Sequence, residues 1–122
     1  MNCKGIIWAG LAVKDLEKAI TFYRDVLGLP LLRTGDGWAS FDASNGARFD
    51  LFTGGTANSS PKKSESQPLS IGFKVDDLDA AVQELTSKGV ALVGKIVEFK
   101  GERWIQLCDP DGNILELKQV PK

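Results

Sequence analysis

The segment VKDLEKAI at residues 13–20 returns as VDDLDAAV at residues 75–82, so the chain is constrained to build one unit twice. Val13/Val75, Asp15/Asp77, Leu16/Leu78 and Ala19/Ala81 pair at a spacing of 62. Trp38/Trp104, Gly46/Gly112, Asp50/Glu116 and Leu51/Leu117 pair at 66. Matches in one order at two nearly equal offsets mark a duplication whose second copy is longer in its middle. Two such copies predict a pseudo-two-fold body with a cleft where they face each other.

A chain of 122 residues with 43% hydrophobic content fits one domain with an ordinary core. The formal net charge of −1 gives no long-range attraction to nucleic acid or to an anionic membrane. No stretch reaches the ~18 apolar residues of a membrane-spanning helix. The start, Met-Asn-Cys-Lys-Gly-Ile-Ile-Trp, carries no apolar signal-peptide core. Cys3 and Cys108 are too few for a disulfide framework. A reduced, cytoplasmic setting is the expectation.

Asp15 is a good N-cap, and Leu16, Ala19, Ile20, Phe22, Tyr23, Val26 and Leu27 recur at helical steps, with Gly28 as the left-handed stop. Ile6–Val13, Leu29–Thr34, Trp38–Asp42 and Arg48–Thr53 read as strands, the last two joined through Ser44-Asn45-Gly46. The second copy repeats the plan. A strand at Leu69–Val75 leads to a helix over Asp77–Lys88, capped by Asp77 and ended by Gly89. One strand broken near Gly94 follows, then Glu102–Cys108, the tight turn Asp109-Pro110-Asp111-Gly112 and a last strand at Asn113–Lys118. The predicted fold class is α+β: two βαβββ modules, residues 5–53 and 69–120 of a single domain spanning 1–122, forming a curved mixed sheet around a cleft. Residues 54–68, rich in Gly, Ser and Pro without apolar periodicity, read as a flexible connector, or as a cover over an opening.

Strand side chains alternate between faces. Ala39, Phe41, Phe49, Leu51, Ile105, Leu107, Leu115 and Leu117 suit a helix-packed face, as do Ile7, Ala9, Leu11, Val13, Leu69, Ile71, Phe73 and Val75. Trp8, Trp38, Arg48, Asp50 and Phe52 then fall on the open face of the first module. Ser70, Trp104, Gln106 and Glu116 fall on that of the second. Ser40, Asp42 and Cys108 share these faces. Rings with a few aimed polar groups make small-molecule pockets. Each Trp could equally be core filling, and Asp50 and Glu116 could pair with Arg48 or Lys118. Cys108 reads as a small buried filler or as a reactive thiol; no base or cation near it in sequence points to activation.

The strings AVKDLEKAITFYRDVLGLP and IGFKVDDLDAAVQELTSKGV, closed by CDPDGNILELKQ, resemble the vicinal-oxygen-chelate superfamily of glyoxalases, extradiol dioxygenases and bleomycin-resistance-type proteins. The resemblance covers nearly the whole chain outside the connector. It implies paired βαβββ modules, a homodimer, and metal ligands on the first and last strand of each module. The matching positions are Trp8, Asp50, Ser70 and Glu116. Metal-dependent members have His at the first of these; this chain has Trp8 there, Ser70 at its counterpart, and no histidine anywhere. An indole is a donor with no lone pair for a metal, and zinc, nickel and non-haem iron sites rely on imidazole. Two carboxylates with water would hold only magnesium or calcium, weakly. No metal and no other cofactor is therefore expected.

The expected function is non-catalytic binding of a planar ligand able to carry positive charge, as in the bleomycin-resistance branch, where drug capture is the activity. The alternatives are a metal-dependent lyase, isomerase or dioxygenase with a carboxylate-only site, and a regulatory module binding a protein or metabolite. The expected partner is thus a small molecule, with neither nucleic acid nor membrane.

Overall fold

A computed structural model describes residues 1–54 and 67–122, and the expected connector falls almost wholly outside them. The chain divides into two compact units, Met1–Ser59 and Ser60–Lys122.

In the first unit β1 (Trp8–Ala12) leads through α1 (Leu16–Thr21) and a π-helical turn (Phe22–Val26) to β2 (Leu31–Gly35), β3 (Trp38–Asp42) and β4 (Arg48–Phe52). The strand order is β1-β4-β3-β2, with β1 parallel to β4 and the other pairs antiparallel. The second unit holds β5 (Ile71–Lys74), α2 (Leu78–Ser87), β6 (Leu92–Phe99), β7 (Glu102–Cys108) and β8 (Ile114–Gln119). Its order, β5-β8-β7-β6, and its one parallel pair, β5 with β8, reproduce the first unit. Each unit is therefore βαβββ with an open four-stranded mixed sheet, the expected α+β class.

Both helices begin as the repeated Asp predicts. The Asp15 carboxylate accepts the Lys18 N–H at 3.2 Å, and that of Asp77 accepts the Ala80 N–H at 3.0 Å. Each satisfies a first-turn donor that has no partner within the helix. Past Thr21 the expected single helix changes pitch. The Leu27 N–H reaches Phe22 O at 3.0 Å, five residues back instead of four. Over so short a stretch, apolar spacing does not separate the two steps. The turn presents both Phe22 and Tyr23 to the sheet, where Tyr23 joins the buried Phe41 and Phe49.

The alternation holds where the ladder exists. Ala39, Phe41, Phe49, Leu51, Ile105, Leu107, Leu115 and Leu117 are all buried. It fails just outside. Ile7 and Leu69 were expected against the helices, yet they are 70% and 67% exposed, because β1 starts at Trp8 and β5 at Ile71. Ile7 keeps one backbone bond, its O accepting the Arg48 N–H at 3.0 Å, but both residues lie ahead of the ladder proper, where the pleat that counting relies on is not imposed. The expected break near Gly94 takes the form of a register shift within the single strand β6, with Gly94 at φ +74°.

On the helix side of β7, Arg103 makes a fork of two 3.0 Å bonds to Asp79 in the first turn of α2. The hydrogen bonds and charge of Arg103 hold the Asp79 carboxyl below its usual range. A carboxylate depressed on folding contributes stability that is complete above its unfolded pKa and is lost as pH falls through the folded value. In urea titrations, Asp79→Asn should accordingly be slightly less stable than the parent at neutral pH. The gap should close on acidification below pH ~4 and narrow in high salt.

Candidate functional site

The helix-remote face of each sheet carries the residues singled out from sequence, except Ser70, which was expected on the second of these faces and lies ahead of β5. In the first unit the register sets Trp8 beside Arg48, Gly10 beside Asp50, and Asp50 beside Ser40, with Trp38 opposite Phe52. Five of the nine candidate residues, Trp8, Trp38, Arg48, Asp50 and Phe52, thus lie on one face of β1, β4 and β3. Trp8 and Trp38 are 53% and 38% exposed, which excludes the core-filling alternative for both.

The contact that organises this face joins its first and last strands in sequence. Trp8 folds back along β1 and donates its Nε1–H to Asp50 Oδ2 at 2.9 Å. Gly10 makes room, since a Cβ there would collide with the Trp8 ring. Gly35 does the same beneath Trp38. The second oxygen, Asp50 Oδ1, is buried and has no hydrogen-bond partner. Asp50 is therefore tied to Trp8, and the alternative of an Arg48 pair is replaced by this bond.

In the second unit Gly72 stands beside Glu116 and Gln106 beside Glu116, with Trp104 opposite Lys118. A Cβ on Gly72 would come 3.3 Å from Glu116 Oε2. Ser70 lies ahead of β5, outside its ladder, and is exposed. Lys118 reaches over the Trp104 ring, 5.2 Å from its centroid, and pairs with Glu102 at 2.7 Å. Glu102 is thus the partner that Glu116 was considered to be. Its hydrogen bond, with added pull from Glu116, holds the Lys118 ammonium above its ordinary pKa. Burial, then the charge of Asp109, pushes the Cys108 thiol up, away from a reactive thiolate.

The residues at the implied metal positions do not fit a transition ion. Trp8 offers a donor where an imidazole lone pair is needed, and it already occupies one oxygen of Asp50. Ser70, the counterpart of Trp8, is exposed. Among the described residues no three of His, Cys, Asp and Glu gather closely enough to hold a metal.

Two residues escaped the sequence reading although their signal was present. Gly10 and Gly72 sit 62 apart, the spacing of the first set of repeats, and each stands beside the carboxylate of its own unit. Glu102 was missed because alternation selects a face and says nothing of which neighbour a long side chain reaches.

Residues 5–117 match the family model described as Glyoxalase/Bleomycin resistance protein/Dioxygenase superfamily. The chain is 33% identical over 121 residues to the uncharacterized protein YraH of Bacillus subtilis (strain 168), across 90% of this chain and 94% of that protein. Its fold superposes on a glyoxalase/dioxygenase from Nostoc punctiforme with a TM-score of 0.80 at 23% identity, over 98% of this chain and 92% of the other. A lactoylglutathione lyase from Agrobacterium tumefaciens matches at a TM-score of 0.74 and 21% identity, over 98% and 96%. At such identities the two structures speak for the fold alone. Among the described residues no helix is long and apolar enough to cross a membrane.

Proposed function

The chain belongs to the glyoxalase/bleomycin resistance protein/dioxygenase superfamily, and we propose that within it this protein binds a planar small molecule, able to carry positive charge, without transforming it. The observation that carries the reading is the Trp8–Asp50 hydrogen bond, which spends a carboxylate and a tryptophan where a metal-dependent relative needs two metal ligands. In place of a Lewis acid the open face of the first unit offers two exposed indoles, one buried carboxylate oxygen and the guanidinium of Arg48. Rings stacked on indole gain ~0.5–1.5 kcal/mol each beyond area burial, and a carboxylate favours a cationic substituent. Sequestration of an antibiotic is one activity such a face would serve. The reading includes a homodimer, as resemblance to this superfamily suggests, in a reduced cytoplasmic setting, as the two cysteines suggest.

Titration with a panel of planar compounds, neutral and cationic and including bleomycin, should quench tryptophan fluorescence saturably. Trp38→Ala should weaken the best binder roughly two- to tenfold, the worth of one stacked ring. Metal analysis after dialysis belongs to the same experiment. Stoichiometric zinc, nickel, iron or manganese, or an absence of quenching across the panel, would overturn the proposal.

A further inference from the structure

Asp50 is an unusual carboxylate, with one oxygen held and the other sealed off. Oδ2 accepts from the Trp8 indole, while Oδ1 is buried with no donor. A buried polar atom without a partner is costly, the more so on a charged group, so the closed arrangement carries a standing penalty. Trp8 is itself poorly anchored, being 53% exposed, and its ring rests on the bare backbone of Gly10. Rotation of this one side chain about its Cα–Cβ bond would release Oδ2, the oxygen it holds. At the matching position of the second unit Ser70 stands in place of the indole and lies exposed ahead of β5.

We propose that Trp8 is a hinged lid latched to Asp50, and that the carboxylate beneath it is the docking point for a forked N–H cation of the amidinium or guanidinium class. The proposal rests on the small-molecule reading above and names the chemistry its ligand presents. The closed lid gives Asp50 one neutral donor. A planar amidinium gives it two parallel charge-assisted bonds, one to each oxygen, and neutralises it. The displaced indole is then free to lie against the plane of the ligand. The ligand shifts the lid by its preference for the open state, which the unpartnered Oδ1 already makes less costly to reach.

The three indole N–H signals of the intact, nitrogen-15-labelled protein report the latch directly. The Trp8 signal, identified by its loss in Trp8→Phe, should show the downfield shift and slowed exchange of a bond to a carboxylate. Gly10→Ala, whose new methyl would strike the ring, should move that signal to the free-indole position without any ligand. Benzamidine should do the same in the parent protein, and benzoate, with the same ring and no N–H, should not. Asp50→Asn should weaken benzamidine at least roughly tenfold, the worth of hydrogen bonds to a charged group. A Trp8 signal insensitive to Gly10→Ala overturns the lid. Benzamidine that fails to bind, or binds Asp50→Asn equally well, overturns the docking point. In that last case planar ligands still bind, so the function proposed above survives while the role of Asp50 does not.

Discussion

Phe41→Ala is expected to lower the unfolding free energy by about 3–5 kcal/mol, the largest effect of any single substitution considered for this chain. Phe41 is 0% exposed, and its ring centroid lies 6.3 Å from those of both Tyr23 and Phe49. Tyr23 and Phe49 approach to 5.0 Å, and Phe22 meets Tyr23 edge-on at 5.2 Å. The four rings form one cluster that pins the π-helical turn to β3 and β4. Truncation removes the transfer free energy of the ring and leaves a void that its rigid aromatic neighbours, Tyr23 on the turn and Phe49 on β4, cannot fill. Domains of ordinary stability have ~5–15 kcal/mol in total, so the variant should approach its unfolding midpoint at modest temperature. Urea titration followed by far-UV circular dichroism measures the loss. A drop under 1 kcal/mol, well below the ~3 kcal/mol floor for such truncations, would mean that the cluster is not the core of the first unit.

The contrast between these rings and the open face shows which layer of the structure was written in the residue pattern. The spacing of 62 located both helix starts, because capping by Asp15 and Asp77 is a local interaction between residues three apart. Alternation separated Phe41 from Trp38 correctly, since within a paired strand the pleat alone decides the face. It misled at Ile7 and Leu69, where the ladder had not begun. Eight of the nine candidate residues were found as members of faces, Ser70 falling ahead of β5, but their contacts were not. Whether Asp50 meets Trp8 or Arg48, and whether Lys118 meets Glu102 or Glu116, depends on side-chain rotamers and on the space that Gly10 leaves beside a strand. Such choices are made among neighbours distant in sequence, 42 residues apart for Trp8 and Asp50, and no local rule encodes them.

Asp109→Ala should be the second most costly change, about 3 kcal/mol, for a reason of polarity rather than volume. The side chain is 5% exposed and sits at the turn between β7 and β8. Its Oδ1 accepts the backbone N–H of Asp111 at 2.9 Å and of Asn113 at 2.8 Å, and its Oδ2 accepts Asn113 Nδ2 at 2.9 Å. Alanine would strand three donors in a place where Asn113 and Asp111 are also buried, and each stranded donor costs ~1–3 kcal/mol unless water enters. Asn113→Ala removes only the side-chain donor and should cost about 1 kcal/mol, the worth of one hydrogen bond. Asp109→Asn keeps an acceptor for the two backbone groups and should fall between them. The order distinguishes a turn held by its carboxylate from one held by the strands on either side. If the turn depends on Asp109, hydrogen exchange at the Asn113 and Asp111 amides should accelerate in Asp109→Ala well before global unfolding, and the β8 amides nearest Glu116 should follow. Equal stability of Asp109→Ala and Asn113→Ala would instead show that the β7–β8 ladder alone closes the hairpin, leaving the buried carboxylate without a structural role.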